Sequence, residues 1–354
     1  MNKKFKIFDK YLDFKDVLIL PKNSTLNSRS EVELNKKLTF KNDIVFEGIP
    51  IICANMTSVG TLNIYKTLSK YKIITALHKF HTLNDLIEYN NENVNNKLDP
   101  NYFMLSTGIS DSNYKNLVHI LDNIECKFIL VDIANGYIQN FKDFVLKLKN
   151  KYPYKVIVAG NVTTKEGVLS LIESGADIIK CGIGGGSACT TRIQTGIGMP
   201  QLSCVLECSE IAHKNNCYII SDGGITCPGD VAKAFGAGSD FVMIGGEFAG
   251  HDENPGDLIE DKQGNLYKFF YGMSSSYAMN NNYAANNNKN YRSSEGREIK
   301  IKYKGKLNET VKNYLGGLRS TCTYTNSKNI SELSNNCKFI IVNNQYNTNL
   351  VNGK

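Results

Sequence analysis

Thirteen residues, KCGIGGGSACTTR from Lys180 to Arg192, concentrate four glycines, two cysteines, two threonines and an arginine directly after an apolar run. Four chemistries could use such a stretch: a glycine-rich phosphate cradle, a metal centre, a flexible linker, or a loop presenting a nucleophile. Cys189 is the candidate nucleophile. It sits among small residues ahead of a helix expected to start near Gln201, with Arg192 three residues on, a setting that favours a thiolate. Thr190 and Thr191 follow it and offer hydroxyls able to pass a proton. A Walker-type phosphate loop is excluded because no Gly-Lys-Ser/Thr follows the glycines, and the dinucleotide fingerprint is poor because no acidic residue closes a following strand. Zinc ligation by Cys181 with Cys189, or by Cys204 with Cys208, fails on spacing, since neither pair has a second CxxC or a histidine pair beside it. His78, His81, His119, His213 and His251 form no ligand pattern. The better phosphate cradles lie later, in SDGGI (221–225) and GGEF (245–248), where Gly223, Gly224, Gly245 and Gly246 let backbone N–H groups approach an anion.

These residues need a scaffold that gathers them. Apolar or β-branched runs at 50–56, 73–79, 102–109, 127–136, 155–162, 177–186, 218–225 and 240–250 alternate with helical patterns such as TTKEGVLSLIESGA, where Thr163 or Thr164 can cap a helix and Gly175 can end it. Eight strands with seven crossover helices predict an α/β fold, a closed TIM (β/α)8 barrel, with an open doubly wound sheet as the alternative. A barrel brings every strand's carboxyl end to one mouth. There stand Asn55, His78 with Lys79, Thr107 with Gly108, Asp132 with Asn135, Asn161, the cysteine loop, Asp222 and Gly245, polar or flexible residues that are costly inside strands.

Beyond the eighth strand, residues 273–297 are rich in asparagine and serine without amphipathic period, and read as a linker or as a mobile flap, assigned to 273–300, over the barrel mouth. NETVKNYLGGLRSTCT (308–323) predicts a helix closed by Gly316 and Gly317, and the last fifteen or so residues read as frayed. The whole of 1–354 reads as one catalytic domain.

Bulk properties narrow the function. The net charge of +7 is spread over scattered lysines rather than a basic run, which argues against nucleic acid as a partner. Arginine occurs only at positions 29, 192, 292, 297 and 319, each a candidate for a forked-donor role. Ten irregularly spaced cysteines read as reduced thiols. With neither a signal-peptide pattern nor a stretch of about twenty apolar residues, a cytoplasmic protein without membrane contact is expected.

The segments GIGGGSACTTR, SDGGITCPGDVAKAFGAGSDFVMIGG, FFYGMSS, YRSSEG and LGGLRSTCTY together resemble the IMP dehydrogenase and GMP reductase family over nearly the whole chain. The resemblance is closer to its reductase branch. Some twenty residues separate the second and third strands, where dehydrogenases carry paired regulatory modules, and NYRSSEG has Tyr-Arg order where the dehydrogenase flap carries an Arg-Tyr pair that activates water. The resemblance implies NADPH-dependent reductive deamination of GMP to IMP and ammonia through a covalent cysteine adduct. A dehydrogenase lacking its modules, or a non-catalytic purine-nucleotide binder, is the alternative.

Residue by residue, the resemblance implies Cys189 as nucleophile with Thr191 and Glu295 as acid/base partners. It places Asp222 on the ribose, Gly223, Gly224, Gly245 and Gly246 around the phosphate, and Gly272, Met273, Ser274, Arg292, Ser293, Ser294 and Gly296 around the base. Toward the nicotinamide it places Lys79, Asp132, Ile133, Ala134, Asn161, Ile183 and Gly184, with Met273, Tyr291 and Arg292. Ser28, Arg29, Ser320, Thr321, Cys322 and Thr323 would reach the adenosine end of NADPH across a subunit boundary of a homotetramer. A monovalent cation, potassium, is implied on the carbonyls of Gly184, Gly186 and Cys189 near Arg192, although glycine stands at 185 where the family more often has proline.

Overall fold

The computed structural model describes residues 10–272 and 296–343. Eight parallel strands close into a barrel: β1 (Ile51–Cys53), β2 (Ile74–Leu77), β3 (Phe103–Thr107), β4 (Phe128–Asp132), β5 (Val156–Val162), β6 (Ile178–Cys181), β7 (Tyr218–Asp222) and β8 (Phe241–Ile244). β8 returns to β1 through Val242 opposite Ile51, Met243 opposite Ile52 and Ile244 opposite Cys53. Strands covered on both faces need near-continuous apolar sequence, which is why the runs were legible. Most are shorter than their runs, because residues such as Asn55, His78 and Asn135 leave the ladder for loops. In β5 the register slips between Gly160 and Val162, a bulge that leaves Asn161 without a partner in the ladder.

The crossover helices are α1 (Leu62–Leu68), α2 (Leu83–Glu92), α3 (Asp111–Leu121), α4 (Gln139–Lys151), α5 (Lys165–Glu173), α6 (Gln201–Lys214) and α7 (Pro228–Gly236). Their starts follow capping chemistry: the side chains of Thr61, Thr82, Ser110 and Thr164 each accept a first-turn N–H. Gly175, at φ +91°, follows α5 as the spacing predicts.

Three expectations are corrected. The helix α8 (Leu307–Tyr324) is not closed by its glycine pair but runs straight through it. A Cβ on Gly317 would stand 2.5 Å from Pro228 Cβ, so this glycine lets α8 lie against the start of α7. The chain's end is not wholly frayed, since Phe339–Ile341 pairs antiparallel with Val17–Ile19. Residues 298–300, counted in the flap, belong to a hairpin strand, Glu298–Lys302, paired with Leu266–Tyr271.

One element was not anticipated. The hairpin Lys36–Thr39 and Val45–Gly48 sets Phe40 edge-on to Phe128 and Tyr218, with ring centroids 6.0 and 5.2 Å away, and Phe46 5.2 Å from Phe241. Those partners are the first residues of β4, β7 and β8, so the hairpin floors the barrel at its amino end.

Candidate active site

At the opposite end a cleft of about 640 Å³ opens over the barrel. Its centre is a chain of charges. The Lys180 ammonium, on β6 and only 3% exposed, lies 2.9 Å from Asp132 Oδ1 and 2.6 Å from Asp222 Oδ2. Asn55 Nδ2 donates to Asp132 Oδ2 at 2.8 Å, and Asn161 Nδ2 donates to Asp222 Oδ2 at 2.9 Å and to the Gly182 carbonyl at 2.6 Å. Burial works against the ion on both Lys180 and Asp132. The paired charges outweigh it, holding the ammonium above and the Asp132 carboxyl below their ordinary values. The carboxylates of β4 and β7 are thus fixed by one cation from β6, the second of the two strands between them in the ladder's order β4, β5, β6, β7.

The cysteine loop leaves β6 at Gly182, whose φ of +134° and close approach to the Asp222 carbonyl leave no room for a Cβ. It then packs its backbone on the next loop, Gly224 N–H donating to the Gly185 carbonyl at 2.9 Å. Cys189 Sγ lies 3.2 Å from Thr191 Oγ1. The hairpin beyond β8 anchors beside it: Cys189 bridges Gly296, Arg297 N–H donates to the Ala188 carbonyl at 3.0 Å, and Gly272 N–H donates to the Arg297 carbonyl at 3.2 Å. Arg297 also reaches the Ser187 carbonyl from two guanidinium nitrogens.

Of the residues singled out in the sequence, Lys79, Asp132, Ile133, Ala134, Asn161, Ile183, Gly184, Gly186, Cys189, Thr191, Asp222, Gly223, Gly224, Gly245, Gly246, Gly272 and Gly296 line this cleft. Met273, Ser274, Tyr291, Arg292, Ser293, Ser294 and Glu295 lie outside the described residues. Arg192 departs from expectation. Its guanidinium donates to Asp13 Oδ2 at 3.1 Å and to the Met199 carbonyl at 2.6 Å rather than serving the thiol. Asp13 in turn accepts the Gln201 N–H, so this pair braces the loop's return into α6. Ser28, Arg29 and the run 320–323 form a separate neighbourhood, the 3-10 turn Arg29–Glu31 packing on α8. Within it Cys322 is fully buried, so its side chain faces the core and not a ligand. The hydroxyls of Ser320, Thr321 and Thr323 bond back to helix carbonyls.

Lys180 is the residue that sequence reasoning passed over. A lysine inside DIIKC was the available signal, because an ammonium is almost never buried in a strand without partners.

Residues 11–348 match the model of the IMP dehydrogenase / GMP reductase domain. The chain belongs to the IMP dehydrogenase and GMP reductase family. Curated relatives include GMP reductase 2 of Homo sapiens, 49% identical over 96% of each chain, and GMP reductase 1 of Mus musculus, 48% identical over 96% of this chain and 97% of that one. GMP reductase of Onchocerca volvulus is 47% identical over 95% of this chain and 92% of its own. Like the barrel expected of a family member, the described residues contain no helix long and apolar enough to cross a membrane.

Proposed function

We propose that the chain is a GMP reductase, converting GMP, NADPH and protons to IMP, NADP and ammonium. The observation that carries this reading is the placement of the Cys189 thiol 3.2 Å from a threonine hydroxyl at the rim of a cleft whose floor carries the fixed carboxylates Asp132 and Asp222. The connection from β2 to β3, holding α2 and a single 3-10 turn, favours the reductase branch over a dehydrogenase with inserted modules. One catalytic domain over 1–354, with a flap that ends before the strand Glu298–Lys302, is the organisation that goes with it.

In this reading the Cys189 sulfur bonds to C2 of the purine. Thr191, with Glu295, delivers a proton to the 2-amino group, the C2–N bond breaks, and ammonia leaves. Gly296, next in the chain to Glu295, pairs with Cys189, which supports that partnership. Reduced nicotinamide, when bound, would supply the hydride that C2 takes up, and loss of the Cys189 sulfur from C2 would then release IMP. Asp222 holds the ribose hydroxyls, Gly223, Gly224, Gly245 and Gly246 cradle the phosphate, and Gly272, Met273, Ser274 and Arg292 to Gly296 enclose the base.

A cofactor fits the other side of the cleft on one physical ground: Asn161 Oδ1 is buried without a hydrogen-bond partner among the described residues, an acceptor waiting for a donor. Lys79, Asp132, Ile133, Ala134, Asn161, Ile183 and Gly184 are assigned to that side, with Tyr291 and Arg292. Ser28, Arg29, Ser320, Thr321 and Thr323 are assigned to the adenosine end in a homotetramer. Carbonyls of Gly184, Gly186 and Cys189 are proposed to hold potassium.

The test is an assay with GMP and NADPH: loss of the reduced cofactor should match ammonia released, and Cys189→Ala should lower the rate by more than about 10³-fold. NADH formed from IMP and NAD, with no reduction of GMP, would overturn the reading. Replacing potassium by lithium in the same assay should lower the rate if the loop holds the cation.

A further inference from the structure

Three cysteines, one from a strand and two from a helix, meet in the barrel wall. Cys181 ends β6, Cys204 and Cys208 lie one turn apart on α6, and their sulfurs all fall within 4.8 Å of one another. All three are fully buried, and no carboxylate or imidazole joins the group among the described residues. Sequence spacing hid it because the pair on the helix lacks a neighbouring CxxC, and the third ligand comes from a strand. We propose that Cys181, Cys204 and Cys208 form a thiolate site for one thiophilic d10 cation, zinc or monovalent copper.

The dimensions suit it. Metal–sulfur bonds of about 2.3 Å place thiolates about 3.8 Å apart, inside the observed limit. Soft sulfur donors select these ions over magnesium, calcium or potassium. The Thr163 carbonyl, 3.8 Å from Cys204 Sγ, is in reach to complete a fourth position for zinc, while three sulfurs alone suit copper. The neighbouring thiols hydrogen-bond to Cys208 and favour its thiolate, while Cys181 and Cys204 are held in the thiol form without an ion. Binding displaces the remaining thiol protons to solvent, with no change of oxidation state.

The location gives the site a task. Cys181 immediately precedes Gly182, where the loop bearing Cys189 departs, and Cys204 and Cys208 stand about one and two turns into the helix where that loop returns. An ion here ties the two ends of the cysteine loop together. This inference stands independently of the reaction assigned to Cys189.

Reduced, metal-stripped protein should be titrated anaerobically with zinc against a chromophoric chelator, and separately with monovalent copper against bicinchoninate. One ion per chain is expected for at least one of the two, with a first shell of sulfur near 2.3 Å by X-ray absorption and a raised unfolding midpoint. Cys181→Val and Cys204→Ala should each weaken binding by more than about a hundredfold, since even outer-shell changes cost ten- to a hundredfold. Cys227→Ser, at an exposed cysteine, should not. Circular dichroism melts confirm that each variant is folded, and Cys204→Ser replaces Cys204→Ala if that variant is not. Stoichiometric uptake of neither ion overturns the proposal and leaves the cluster as packing. So does uptake that survives loss of Cys181 and Cys204, or that vanishes in Cys227→Ser.

Discussion

A buried lysine between two aspartates decides how the cleft responds to mutation and to pH. Lys180→Met leaves Asp132 and Asp222 without their shared cation, and breaking a buried pair costs about 3–5 kcal/mol. Denaturant unfolding should show that loss, with a raised KM for GMP because Asp222 loses its anchor. The pH dependence follows from the two directions. Asp132 is held below its ordinary value, so its contribution is present above about pH 4 and lost as pH falls further. Lys180 is held above its own, so its contribution persists to about pH 10 and is lost as pH rises beyond. Unfolding measured at both extremes should be flatter in Lys180→Met than in the parent. Thr191→Val should lower kcat by about 10²–10⁴-fold, the usual worth of a proton-transfer partner, with an unchanged melting curve. Asp132, Asn161 and Asp222 were legible because each stands at the polar end of an apolar run, and Cys189 because it follows a run of small residues in the loop after one. Arg192 was misread because its partner Asp13 lies at the far end of the chain, where spacing carries no information.

Among the elements, floor and mouth separate stability from chemistry. Phe46→Ala empties a fully buried ring site between the hairpin and Phe241 and should cost about 3–5 kcal/mol while leaving KM for GMP unaltered. An equal loss of substrate affinity would show that the floor also shapes the mouth. At the end of β2, His78 stacks on His81 with ring centroids 3.9 Å apart, and burial, then repulsion from His81, holds His78 down at about 3. Its neutral form is favoured in the fold, so stability should fall as pH drops below about 6.5, by up to about 1.4 kcal/mol per pH unit for that proton. Denaturation series between pH 4 and 7 should show a shallower slope in His78→Gln. The strands and most helices were legible from apolar period and caps. The floor hairpin was not, because its strands, KKLT and VFEG, are four residues long and too short to show an apolar period. Nor was the course of α8, where a glycine pair that commonly ends a helix instead permits contact with Pro228.

For the molecule as a whole, the barrel was readable because closure needs only the count and order of buried strands, and both survive in one sequence. What joins distant parts was not readable. The Lys180 pairs, the Asp13–Arg192 brace, the cysteine cluster and the Val17–Ile19 pairing with Phe339–Ile341 all depend on chain segments whose proximity is created by closure itself. That last pairing makes the polypeptide nearly a ring. The unit at which the cycle of eight β/α units begins along the gene is then not a requirement of the architecture. A permuted protein, with its original ends linked and new ends opened at Tyr154, 82% exposed in the turn between α4 and β5, should melt cooperatively and keep the reductase activity of the parent. A permutant that folds but is inactive would mean that the point at which the chain begins matters to catalysis, and not only to synthesis.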